Sequence, residues 1–138
     1  MRTMWMVAIA VAACGGKGSS TDDSEAEHQL RKLEKSAKRA FEMTSAFPKG
    51  MELPTPSASC CSQPDKVCKP QAADWAGPMW TALEFSISEP THFQYSYESD
   101  GKSFTATATG GCDGSVRTIK LQGQVSPSGN VTTAIMKF

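Results

Sequence analysis

Phe93-Gln94-Tyr95-Ser96-Tyr97-Glu98, then Ser99-Asp100-Gly101-Lys102, then Phe104-Thr105-Ala106-Thr107-Ala108-Thr109 is the stretch that decides the fold. Apolar and polar residues alternate on both sides of the central four, so each flanking run carries one apolar and one polar face, as a half-buried strand does. The Asp100-Gly101 pair predicts a type I′ turn, whose twist matches that of antiparallel strands. The stretch is therefore an antiparallel hairpin with one face turned to a core.

Working outward toward the C-terminus, Gly110-Gly111-Cys112-Asp113-Gly114-Ser115 forms a loop, and Ile119, Leu121 and Val125 mark the next strand. Ser126-Pro127-Ser128-Gly129-Asn130 is a strong turn signal. Val131, Ile135, Met136 and Phe138 mark the strand after it. These runs predict a four-stranded antiparallel sheet. Upstream, Leu83, Phe85 and Ile87 alternate with Glu84, Ser86 and Ser88, which predicts one further short strand.

Before the sheet the period changes. Leu30, Leu33, Ala37, Ala40, Phe41 and Phe47 recur at three- and four-residue steps, with Thr44 filling the stripe, predicting one amphipathic helix over residues 24–47 that Pro48 and Gly50 terminate. Its other face carries Arg31, Lys32, Glu34, Lys35, Lys38, Arg39 and Glu42, with Glu34 and Lys38 at the favourable spacing. One helix on the apolar face of an antiparallel sheet defines an α+β domain.

Residues 48–79 are rich in proline and hold Cys60, Cys61 and Cys68; the remaining cysteines are Cys14 and Cys112. With Cys14 set aside, four cysteines in a small domain read as two disulfides if the chain is exported, as its N-terminus implies. Adjacent Cys60 and Cys61 would be strained if bonded together, so one of them is expected to pair with Cys68 and the other with Cys112. The longer link closes a loop of about fifty residues, worth about 4 kcal/mol in the chain-entropy model. Structural zinc prefers pairs separated by two to four residues, and the spacing of these cysteines does not match it. Asp74 is expected to cap a short turn leading to Trp75 and Trp80, which read as core or groove packing rather than as a ligand platform.

The N-terminus carries an address. Arg2 is followed by the apolar run Met4-Trp5-Met6-Val7-Ala8-Ile9-Ala10, then by Val11-Ala12-Ala13-Cys14 and a glycine- and serine-rich stretch. The run is too short to cross a hydrocarbon core about 30 Å thick as a helix. The pattern resembles the lipobox of bacterial lipoproteins. That resemblance implies a signal peptide over 1–13, lipid on Cys14, a flexible tether over 14–24 and a globular domain over 25–138. It also implies a membrane partner through the acyl chains, which anchor without a spanning helix. Gly15, rather than aspartate, follows the cysteine, which by the same analogy points to the outer membrane, on its periplasmic face or at the cell surface.

Leu33-Glu34-Lys35-Ser36-Ala37-Lys38-Arg39-Ala40-Phe41, Ala46-Phe47-Pro48-Lys49-Gly50, Cys60-Cys61, Trp80-Thr81-Ala82-Leu83-Glu84-Phe85-Ser86-Ile87 and the hairpin follow one another in an order that resembles the globular part of type IV pilin-like proteins. The resemblance spans residues 28–125. It implies a long helix on a four-stranded antiparallel sheet, disulfides in the loops, and pilin or pseudopilin subunits of a type IV pilus or type II secretion apparatus as partners. The apolar helical half through which pilins polymerise has no counterpart before the helix, where Cys14 and the tether stand instead. The sequence reads as a pilin-like headpiece on a lipid anchor. The alternative is a free-standing surface adhesion or ligand-binding lipoprotein that reuses the headpiece fold.

Other function classes lack their signatures. The 138 residues carry a formal net charge of zero with both signs interspersed, which gives no basic field to attract nucleic acid. His28 and His92 are the only histidines, and neither falls in a nucleophile–base motif. Serine-hydrolase and phosphate-loop patterns do not occur. Asp113 alone is a poor start for a calcium site, which needs several oxygen ligands. No catalytic residue, cofactor or metal ligand is expected.

Overall fold

A computed structural model describes residues 19–138 except 113 and 115. Cys14, the expected signal peptide and the first part of the expected tether lie outside the described residues. The chain runs through helix α1 (Ser19–Thr44), strand β1 (Gly50–Thr55), three short 3₁₀ turns, helix α2 (Pro78–Leu83) and strands β2 (Phe93–Ser99), β3 (Ser103–Gly110), β4 (Arg117–Val125) and β5 (Val131–Lys137).

The α+β architecture is as expected, but the sheet has five strands in the order β1-β2-β3-β4-β5, every neighbouring pair antiparallel. The fifth is β1, which the sequence did not announce because Pro54 lies in it and its alternation is reversed: Met51 and Leu53 are exposed, while Glu52 turns inward to accept from Met79. It pairs with β2 from Gly50↔Ser99 to Glu52↔Tyr97, slips, and resumes at Thr55↔Tyr95. Proline is tolerated there because β1 is an outer strand and Pro54 lies within the slip.

The strand expected at Leu83–Ile87 does not form. Leu83 ends α2, Glu84 takes a left-handed conformation (φ 53°), and the chain beyond pairs with no strand. The alternation was real, since Leu83, Phe85 and Ile87 are buried and the residues between them exposed. Its cause is packing alongside α1. Arg39 donates to the Leu83 carbonyl (3.4 Å), Lys32 lies 6.0 Å from the Phe85 ring, Gln29 bonds Glu89, and Glu25 accepts from the His92 backbone (2.8 Å). The segment thus runs back along the helix toward its N-terminal end.

Helix α1 starts at Ser19, five residues before the expected start, and so includes residues 19–24 assigned to the tether. It buries Ala26, Leu30, Leu33 and Ala37 completely against β3 and β4. It ends at Thr44 rather than Phe47, because Ser45 adopts a left-handed conformation (φ 61°) and its N–H closes on the Phe41 carbonyl at 2.7 Å. Freed from the helix, Phe47 packs between Phe41 and Phe104 at 5.1 and 4.8 Å. The inner face of the sheet meets α1 with Phe93, Tyr95, Tyr97, Phe104, Ala106, Ala108, Ile119 and Leu121, all buried.

The connection between β2 and β3 is longer than a type I′ turn. Ser99 is opposite Phe104, and Asp100 Oδ1 accepts from the N–H groups of Lys102 (2.9 Å) and Ser103 (2.8 Å). This carboxylate-centred turn replaces the two-residue one. Those backbone bonds hold the Asp100 carboxyl below its usual range. Gly101 (φ 96°) supplies the left-handed residue, and its carbonyl accepts the Phe47 N–H at 2.9 Å, fastening the hairpin tip to the exit of α1.

Candidate interaction surface

The segment between β1 and β2 is built as a stapled surface. Ser59 Oγ accepts the Cys61 N–H (3.2 Å) and opens a 3₁₀ turn over Cys60–Ser62 that sends the adjacent cysteines to different partners. Cys60 bonds Cys68, with Cα atoms 4.8 Å apart, and Cys61 bonds Cys112 at 5.6 Å. This is the expected division, now with each partner fixed. Cys68 also exchanges backbone hydrogen bonds with Thr91 (2.8 and 3.0 Å), and Gln94 on β2 donates to the Pro56 carbonyl (2.8 Å). The Thr55–Pro56 peptide is cis.

These ties leave a cleft of about 400 Å³, lined by Pro56, Ala58, Pro64, Val67, Lys69 and Asp74 among others. Its volume falls within the range of about 300–1,000 Å³ usual for ligand sites. Asp74 sits inside the 3₁₀ turn Ala72–Trp75 without capping it. Trp75 and Trp80 are interior, with ring centroids 5.1 Å apart, and both pack in tilted or edge-on contact with Phe85 at 5.6 and 5.5 Å. Trp80 Nε1 donates to Thr55 Oγ1 at 3.1 Å, so its polar end is satisfied by β1.

Glu52 was not singled out by the sequence. On β1 it turns toward α2 and accepts the Met79 N–H at 2.9 Å, supplying an acceptor at the start of that helix. A Cβ at Gly77 would lie 2.3 Å from Glu52 Oε1, so a side chain there would push the Glu52 carboxylate off its bond to Met79. Tyr97 donates to the Pro48 carbonyl (2.9 Å), and burial pushes its phenol up to about 12.

The N-terminal half of α1 is tied to the sheet by charge. Arg117 bonds Asp23 (2.7 Å), Lys137 bonds Glu27 (2.6 Å) and His92 Nδ1 lies 2.7 Å from Glu25. The Glu27 carboxylate raises Lys137 above its usual range. These pairs join residues far apart in the chain, so no local pattern marked them. His28 is exposed on α1 and His92 is the partner of Glu25. Among the described residues, no group of three or more His, Cys, Asp or Glu could hold a metal ion, and no helix is long and apolar enough to cross a membrane. Asp113 lies outside the described residues.

No protein-family model, curated protein or solved structure matches the chain.

Proposed function

We propose that this chain is a lipid-anchored, non-enzymatic protein of the bacterial envelope whose pilin-like headpiece associates with a type IV pilus or type II secretion apparatus. The observation that carries this reading is the order of parts: a long helix lying across β3 and β4, then a disulfide-stapled segment, then an antiparallel meander. The lipobox-like sequence ending at Cys14 supports the anchor, and the stapled cleft is the contact surface offered to pilin or pseudopilin subunits.

Cross-linking in intact native cells, detergent extraction and pulldown of the full chain tests this. Pilin, pseudopilin or secretion subunits should be recovered with it. Recovery of envelope lipoproteins alone would reject the machinery and favour a free-standing binding module. The anchor has its own test, since Cys14→Ala should shift the protein out of the detergent phase on phase partition or leave it unprocessed. A processed variant that still partitions with detergent would reject the lipid on Cys14.

A further inference from the structure

The two outer strands of the sheet are defended very differently. An outer strand offers unpaired N–H and C=O groups to any passing strand, and proteins blunt such edges with proline, bulges or outward charges. β1 has two of these devices, Pro54 and the slip between Glu52 and Thr55. β5 has neither, pairing with β4 from Val125↔Val131 to Ile119↔Lys137 without a slip. Its one charged residue, Lys137, turns inward onto Glu27 of α1 at 2.6 Å, a further edge device, but it sits at the C-terminal end of the strand and leaves Val131–Ile135 without one.

The ladder also fixes which groups β5 presents. The Phe138 N–H donates to the Thr118 carbonyl and the Ser126 N–H to the Asn130 carbonyl. Since the hydrogen-bonded positions of an antiparallel pair alternate, even-numbered residues of β5 turn their backbone groups toward β4. Val131, Thr133, Ile135 and Lys137 turn theirs to the open side. The same residues point their side chains to the inner face, where Val131 and Ile135 pack on the core while remaining partly exposed.

We propose that β5 is a self-pairing edge, joining two copies of this chain antiparallel through Val131–Ile135, with Thr133 at the two-fold axis, into one continuous sheet. Val131 and Ile135, both branched aliphatics on the inner face, stand symmetrically about Thr133, which suits a second copy. With Thr133 on the axis, open-side groups meet open-side groups. Val131 then faces Ile135 of the second copy twice and Thr133 faces its own mate. β-Branched and Thr–Thr pairs of this kind are favourable across strands. Both inner faces lie on the same side of the joined sheet, so the exposed parts of Val131 and Ile135 are covered. Each α1 packs over β3 and β4, so the two helices stand at least three strand spacings apart, about 14 Å, against a helix diameter of about 10–12 Å. The interface is narrow, and the dimer is accordingly a weak one. This inference does not rest on the proposed pilus association.

Thr133→Cys in the full chain tests the register directly, because hydrogen-bonded partners across an antiparallel pair have Cα atoms about 5.5 Å apart, within disulfide range. Mild oxidation should give a disulfide-linked dimer on non-reducing electrophoresis, while Thr105→Cys, in the middle strand β3, should not. Sedimentation of the full chain in detergent, with the lipid anchor in place, gives the second readout. The wild type should pass from monomer to dimer as concentration rises, and Thr133→Pro, which removes only an open-side N–H, should stay monomeric with an unchanged circular dichroism spectrum. Absence of cross-linking in the Thr133→Cys variant, a wild type that stays monomeric throughout, or a folded Thr133→Pro dimer would each overturn the proposal. Should Thr133→Pro not fold, Ile135→Lys, which places a charge in the joined face, must give the monomer instead.

Discussion

At Gly123 a missing side chain decides how the core closes. The residue lies on the inner face of β4 opposite Phe104, and a Cβ there would come within 2.1 Å of the Phe104 ring. Phe104 is held from its other sides by Phe47 at 4.8 Å and Tyr97 at 6.0 Å, so the ring has little room to retreat. Overpacking a filled core costs about 1–3 kcal/mol. Gly123→Ala should therefore destabilise the domain by that amount in a denaturant titration, although alanine ordinarily suits a strand better than glycine does. A neutral or stabilising result would mean that Phe104 can swing away and that the aromatic contact with Phe47 is dispensable. The glycine was visible in the sequence as a gap in the apolar pattern of β4, but the ring that fills the gap comes from another strand and was not.

Helix α1 is held to the domain by its buried stripe and decorated by charge, and the two respond differently to pH. Glu34 is nearly buried, with 11 % of its side chain exposed, and burial opposes its charge; hydrogen bonds from Lys38 (3.0 Å) and Arg31 (2.5 Å), with their positive charges, outweigh that and hold the carboxyl below its usual range. A carboxyl with a lower pKa folded than unfolded contributes stability that is present above the unfolded value and is lost as pH falls through the folded one. Melting temperature should thus fall on acidification below about pH 4.3 more steeply for the wild type than for Glu34→Gln, with a difference near neutrality of about 1 kcal/mol or less because both cations are well exposed. Parallel pH profiles would show that the pairs contribute nothing. The element itself was legible because Leu30, Leu33 and Ala37 repeat at helical steps whatever surrounds them. Its end was not, since the reversal at Ser45 leaves Phe47 buried just as a longer helix would. The segment after Leu83 misled for the same reason: alternating burial against a helix and alternating burial in a sheet leave one pattern, and only hydrogen bonding separates them.

For the whole molecule, the disulfides join regions that the sheet alone leaves loosely attached. Cys60–Cys68 closes a short loop within the stapled segment, whereas Cys61–Cys112 spans 51 residues and ties that segment to the chain just beyond β3. The adjacency of Cys60 and Cys61 made the division between two partners legible; which cysteine took which depended on the turn opened by Ser59, a detail of backbone direction. In the chain-entropy model the longer link restricts the unfolded chain by about 4 kcal/mol and the shorter by about 2–3 kcal/mol. Thr55, Trp80, Phe85 and Tyr97 connect β1, α2 and the sheet through one aromatic cluster, so the stapled segment shares the core that α1 covers. A domain with one such core unfolds as one unit. The double variant Cys61→Ala/Cys112→Ala should therefore lower the stability of the whole domain by about 4 kcal/mol in a single transition, followed by circular dichroism and tryptophan fluorescence together. Two separated transitions, with fluorescence changing first, would show that Trp75 and Trp80 belong to a subdomain held on mainly by the staple. A loss below about 1 kcal/mol would show that the unfolded chain is already confined without it.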